Sequence, residues 1–295
     1  MKPQLLKISS NPAFSFQVRH DKVPYFYDKW HYHPEVELVD IIKGSGTQFI
    51  GNDIGRFSPG DMILVGANLP HLWRCDQQYY EGDERLIAES SVLHFAPSAL
   101  GAAFWAMPEN KGLANLLERA KLVIIIEGAA RKAILKYMKQ LETLSNTGRT
   151  IQLLQILEAA TSMEDTRTIL SRTANNSVFH DSTESDRMNQ IYQYIFNNYQ
   201  QKITLDDIAK VAHISPHSFC RFFKSKTKKS FSTFLTEVRI HHACKLLVET
   251  DQPVSDICYE SGFNNFSNFN RHFKLLKNKS PLQHRQQFQQ PKKGN

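Results

Sequence analysis

Cysteine is scarce in this 295-residue chain: there are four, Cys75, Cys220, Cys244 and Cys258. No two of them have the spacing of a zinc site or a disulfide framework. That excludes a small domain held together by staples and leads us to expect a reduced, cytoplasmic protein. Long apolar runs are also missing. The most apolar stretches, residues 99–107 and 122–126, fall far short of the roughly 20 residues a membrane-crossing helix needs. No membrane partner is therefore expected. The opening MKPQLLKISS lacks the apolar core of a secretory signal. What is present is ordinary for a soluble globular chain, 41% hydrophobic and 22% charged, and long enough for two domains with a core in each.

Charge is unevenly placed. From residue 185 onward there are 17 Lys and Arg against 8 Asp and Glu, a balance of +9, which leaves residues 1–184 at −2. A basic third on a near-neutral body suits a phosphate-binding module, and a solvated lysine-rich surface equally well.

Along the first hundred residues, short apolar runs at 14–18, 36–42, 47–50, 62–65 and 86–95 alternate with turn signals such as Gly44-Ser45-Gly46 and Ser58-Pro59-Gly60-Asp61. Many short strands so spaced predict a small barrel or jelly roll over residues 1–110. The period then lengthens. Leu113, Leu116, Leu117 and Ala120 share a helical face, and two longer amphipathic helices are predicted at 129–144 and 151–163 within a helical segment, 111–170. Their apolar stripes need a cover, either the barrel or a second copy of the chain in a homodimer. Residues 171–185 are rich in Ser, Thr and Asn and read as a linker. Ser185 or Asp186 is expected to cap the helix that follows.

The last third contains a repeat. Asp207-Ile208-Ala209, Ser215, Phe219, Arg221, Phe223 and Lys224 return as Asp256-Ile257-Cys258, Gly262, Phe269, Arg271, Phe273 and Lys274. The offset is 49 at Ile208 and 50 at Arg221, so the second turn is one residue longer. Each copy suits a helix-turn-helix. Ser215 is a good N-cap before Pro216 at the first helical position, and Gly262 falls where a turn often needs positive φ. A helix over 231–249 joins the copies. At 1.5 Å per residue it spans roughly 28 Å, which brings two readers toward the roughly 34 Å of one DNA turn. Arg and Asn can pair base edges, while Lys and small polar groups contact phosphates. The candidate DNA-contacting residues are His217, Ser218, Cys220, Arg221, Lys224, Asn265, Phe266, Ser267, Asn270, Arg271 and Lys274. Most of the nine phenylalanines between 219 and 273 read as core.

Residues 186–286, within an expected double helix-turn-helix domain of 186–288, resemble the AraC/XylS-type DNA-binding domain. The resemblance is carried by Leu205, Ile208-Ala209, Ser215, Phe219, Arg221, Phe223-Lys224, Arg239, Ala243, Leu246-Leu247, Asp256-Ile257, Gly262-Phe263, Phe269, Arg271, Phe273-Lys274, Ser280-Pro281 and Arg285. It implies a transcription regulator with two recognition helices in successive major-groove segments of double-stranded promoter DNA, acting with the transcription machinery. By position, His217, Cys220 and Arg221 face bases in the first unit, and Ser267, Asn270 and Arg271 in the second. Three residues depart from the pattern. Lys228 and Asn278 stand where glycine is usual, and His284 replaces an aromatic residue. The tail, 289–295, is expected to be flexible.

In the first domain, His31-x-His33-x-x-x-Glu37 with Gly44, followed by Pro59-Gly60-Asp61 and Pro70-His71, resembles the two cupin motifs. Two histidines at i and i+2 with a carboxylate at i+6 would share one face of a strand. A fourth ligand from a neighbouring strand would complete a site for Mn, Fe, Ni or Zn. Three readings stay open: a divalent-metal site of His31, His33, Glu37 and His71; a polar pocket for a small-molecule effector, with Trp30 and Trp73 as walls suited to a sugar; and histidines that serve the strand. The predicted architecture is a cupin-like β-barrel with a helical appendage, then an all-α domain of two helix-turn-helix units joined by a linker helix. The function expected is a ligand-responsive regulator, not an enzyme. The competing class is a cupin metalloenzyme with an attached helical domain, which would have no need of the doubled unit.

Overall fold

The computed structural model describes residues 4–6, 15–51, 53–141, 143–145, 147–168 and 182–289. The chain divides into two units, Pro3–His180 and Asp181–Asn295.

The first unit begins with β1 (Gln4–Leu5), β2 (Phe16–Val23), β3 (His31–Tyr32), β4 (Val36–Lys43), β5 (Gly46–Ile50), β6 (Asp53–Phe57), β7 (Met62–Val65), β8 (His71–Cys75) and β9 (Ala88–Phe95). Four helices follow, α1 (Gly101–Ala106), α2 (Lys111–Ala120), α3 (Gly128–Gln140) and α4 (Thr147–Ala160), with β10 (Ile124–Ile126) before α3 and β11 (Thr166–Thr168) after α4. The strands form two sheets, ordered β1-β3-β8-β5-β6 and β11-β10-β7-β4-β9-β2. The strands expected in a small barrel or jelly roll thus form two sheets, and no closed barrel is seen among the described residues. The segment expected to be helical over 111–170 also contributes two strands to the larger sheet.

Side-chain alternation explains how β4 is buried on both faces. Val36 and Leu38 join Met62, Leu64, Leu93 and Phe95 in a core completed by Leu116 of α2, Ile134 and Met138 of α3, and Ile156 and Leu157 of α4. Val39 and Ile41 point the other way, with Ile63, Val65 and Val92, toward Phe26, Phe57 and Trp73. Glu37 and His94 belong to this second, inter-sheet face. The apolar stripes of α3 and α4 pack within the unit, in the core beneath the sheet. The guanidinium of Arg131 on α3 donates to Asp40 on β4 at 2.7 Å, tying that helix to the sheet.

The second unit is helical: α5 (Ser182–Asn198), α6 (Leu205–Val211), α7 (Pro216–Thr227), α8 (Phe231–Glu249), α9 (Val254–Glu260), α10 (Phe266–Lys277) and α11 (Pro281–Gln289). Residues 182–185, expected in the linker, are helical, and Ser185 and Asp186 lie inside α5 instead of capping it. Residues 171–181, the rest of the expected linker, lie outside the described residues, as do 169–170 of the expected helical segment and 290–295 of the tail. Local chemistry sets the helix ends. Thr204 and Asp207 form a reciprocal capping box on α6, and Ser215, Ser230 and Asn265 accept from the backbone N–H three residues on, at the starts of α7, α8 and α10. The helices α7 and α10 end on Lys228 and Asn278 in the left-handed conformation, φ 57° and 56°, where glycine is the usual choice.

Packing follows the repeat. Phe219 and Phe223 pack on Phe231 and Phe234. Fifty residues on, Phe269 and Phe273 join Ile240, Leu247, Ile257 and Phe263. Gly262, φ 86°, sits so close to the Tyr199 carbonyl that a Cβ there would lie 2.5 Å from the oxygen.

Candidate functional site

In α7 the positions 217, 220, 221 and 224 fall at i, i+3, i+4 and i+7, one helical face. His217, Cys220, Arg221 and Lys224 are all exposed. Ser218 is half-buried; its backbone N–H donates to Ser215 Oγ, and its own Oγ accepts from the Ser215 hydroxyl. In α10 the same spacing places Ser267, Asn270, Arg271 and Lys274 together, exposed except for the half-buried Asn270. Phe266 is 40% exposed at the start of this helix. Asn265 is its N-cap, and the Asn270 amide donates back to the Phe266 carbonyl at 3.1 Å. The Arg271 guanidinium donates to Asn268 Oδ1 at 2.9 Å. Asn268 escaped the sequence reading because nothing in its spacing separates it from a plain surface residue.

A second constellation lies in the first unit. His31, His33, Glu37 and His71 are all buried, and each offers a ligand atom within 4.8 Å of the others. His31, His33 and Glu37 do not share one strand face, which the motif had led us to expect. Pro34 cannot donate to a ladder; the chain leaves β3 after Tyr32, bends, and enters β4 at Val36. His71 arrives on β8, paired with His31 across the sheet. His31, His33 and His71 direct Nδ1 at the main-chain oxygens of Lys29, Glu35 and Leu69, at 2.8, 3.0 and 2.8 Å. That leaves each Nε2 turned inward, the arrangement that orients a histidine toward a metal. His71 Nε2 is buried with no hydrogen-bond partner. The donor set therefore fits a divalent cation.

A residue outside both motifs completes the cluster. His94 on β9 places Nε2 at 2.8 Å from Glu37 Oε2, while His33 Nε2 is at 3.3 Å from the same oxygen. A lone histidine in the otherwise apolar run Val92-Leu93-His94-Phe95 was the one available signal. Burial pushes the Glu37 carboxyl up, but His71, His33 and His94 together hold it well below the usual range. Burial, with His71 beside it, pushes His31 down to about 3, so its imidazole stays neutral. For His33 burial acts downward too, and the Glu37 carboxylate outweighs it, so the net direction is up.

A cavity of about 620 Å³ opens on this cluster, lined by His31, Glu37, Trp73, Tyr25, Tyr27 and Arg19 among others. Trp73 thus stands where an effector wall was expected. Trp30 is buried and does not line the cavity, nor do His33 and His71. The tyrosines and Arg19 carry no pattern that a sequence would flag.

Among known families, residues 208–287 match a helix-turn-helix domain. An HTH-type transcriptional regulator of Bacillus subtilis strain 168, YdeC, is 25% identical over 265 residues, covering 88% of this chain and 86% of that protein. The chain thus carries a helix-turn-helix domain and is similar over most of its length to a transcription regulator that has one. The melibiose operon regulatory protein of Escherichia coli K12 is 24% identical over 280 residues, 91% of this chain and 87% of the relative. A solved structure, the C-terminal domain of AraT, a response regulator from Geobacillus stearothermophilus, aligns at 28% identity and a TM-score of 0.35, over 38% of this chain and 93% of that one. These relatives are transcription regulators by name, not enzymes, and the metalloenzyme reading is set aside. Among the described residues no helix is long and apolar enough to cross a membrane.

Proposed function

We propose that this regulator reads two adjacent major-groove segments of promoter DNA with α7 and α10, and that a small molecule in the cupin-like unit governs that reading. The doubled exposed face supports the first part: polar and basic side chains recur at the same helical positions fifty residues apart, on a unit of balance +9 from residue 185. Substituting Arg271→Ala is expected to cost roughly 1–3 kcal/mol on a selected operator and relax base preference at one position. Measured by in vitro site selection and titration, an unchanged preference would remove Arg271 from the reading set.

The cavity supports the second part. It has the volume of a small-molecule site and combines aromatic walls with charged groups. The melibiose operon relative makes sugars the first class to try. The cluster of His31, His33, Glu37 and His71 is proposed to hold Mn, Fe, Ni or Zn, which would give an effector oxygen a Lewis-acidic contact at the cavity floor. An effector that binds one state of the regulator better shifts its population toward that state. A thermal-shift screen of sugars, with and without metal, tests this: a ligand at 100 times its Kd raises stability by about 2.7 kcal/mol.

A further inference from the structure

His94 lies 57 residues beyond Glu37, outside both cupin motifs. Strands β4 and β9 run antiparallel with Glu37 directly opposite His94, and the two-residue period turns both side chains into the space between the sheets. His94 is 1% exposed and Glu37 5%. Of the imidazole contacts to this carboxylate, that of His94 is the shortest, 2.8 Å against 3.3 Å for His33 and 3.6 Å for His71.

His94 also differs from the other three imidazoles in how its nitrogens are used. In those, Nδ1 is directed at a backbone oxygen and Nε2 faces the centre. In His94, Nε2 is spent on Glu37 Oε2, and Nδ1 is buried with no hydrogen-bond partner. The four ligand atoms that gather within 4.8 Å do not include one from His94.

Resting on the reading of the cluster as a cation site, we infer that His94 is a positioning residue for Glu37. It holds the carboxylate by Oε2 and so presents Oε1, 3.6 Å from His71 Nε2, to the cation. Without His94 the nearest partner left to the carboxylate is His33 Nε2 at 3.3 Å, the atom that His33 would otherwise offer the metal, with His71 Nε2 farther off at 3.6 Å. Glu37 and His33 then satisfy each other, and two of four ligands are lost to one internal pair. The driving force is the cost of leaving a buried carboxylate without donors.

The test uses the full-length protein, stripped of metal with a chelator and titrated with zinc by competition calorimetry. His94→Leu should lose 10- to 100-fold in zinc affinity, the usual cost of removing a partner that orients a ligand. His94→Gln keeps an N–H donor at similar reach and is a poor zinc ligand, so it should stay within about threefold of the parent. If the leucine variant does not fold, His94→Asn, whose amide is one bond shorter, takes its place and should also lose affinity. Unchanged affinity in the leucine or asparagine variant overturns the inference while the cation site stands. A glutamine variant as weak as leucine also overturns it, because the ring itself would then be needed. A parent protein that binds no zinc, manganese, nickel or ferrous iron sinks the cation reading and the inference with it.

Discussion

His284 occupies the place in the second helix-turn-helix unit that Phe234 occupies in the first. Its ring meets Phe273 at 5.5 Å and 75°, and Phe234 meets Phe223 at 5.4 Å and 79°. A titratable ring thus does the packing of a phenyl. Burial, aided by Lys279 and Lys277, pushes His284 down to about 4, whereas in the unfolded chain it titrates near 6.5. Below about pH 6.5 the unfolded state binds a proton that the folded state refuses. Stability from this residue is therefore complete above that pH and falls progressively as pH drops toward 4. His284→Phe should remove this loss. Denaturant midpoints of the full-length parent and variant should separate as pH falls from 7 to 4.5, and parallel curves would refute the account. His284 was legible as a departure from the family pattern. Its equivalence to Phe234 was not, because that rests on how the helices pack.

Helix ends tie the elements of the second unit together. Arg239 on α8 donates from Nε and Nη2 to the carbonyls of Tyr199 and Gln201, both at 2.7 Å, just beyond α5. Arg285 on α11 donates to Leu247 and Gln252, at 3.3 and 2.6 Å, at the end of α8 and beyond it. Each arginine satisfies carbonyls at the end of a helix or in the segment that follows it, which would otherwise lack a donor. Replacing Arg239 by Ala should cost roughly 2 kcal/mol or more, since hydrogen bonds to charged groups contribute about 1.5–3 kcal/mol. Chemical denaturation of the full chain reads this, and a change within about 0.5 kcal/mol would show the clamp to be ornamental. These helices were the most legible part of the sequence, because caps and phenylalanine spacing are local signals. The sheets were read less well. β3, β10 and β11 have only two or three residues, too few to show a period, and β4 and β7 in the larger sheet are buried on both faces, so they read as apolar runs without alternation. The histidine motif was found, but Pro34 splits it between strands, and His94 joins it only through the β4–β9 register.

At the scale of the molecule, the uneven charge makes ionic strength a sharp probe. If the basic unit replaces counterions at 6–10 phosphates, operator affinity should fall about 10³- to 10⁵-fold between 50 and 200 mM salt. Fluorescence anisotropy of a labelled operator gives the slope, and a salt-insensitive complex would contradict phosphate-anchored binding. The length of α8 carries a subtler consequence. Each helical residue turns the chain by about 100°, so its nineteen residues fix a rotational phase as well as a distance. Removing one residue from α8 would shorten the span by only about 1.5 Å yet swing everything after it by more than a quarter turn. The readers would then no longer look at the same side of the double helix. A linker helix of this kind behaves like a keyed shaft: it tolerates substitution on its exposed side far better than a change in its count.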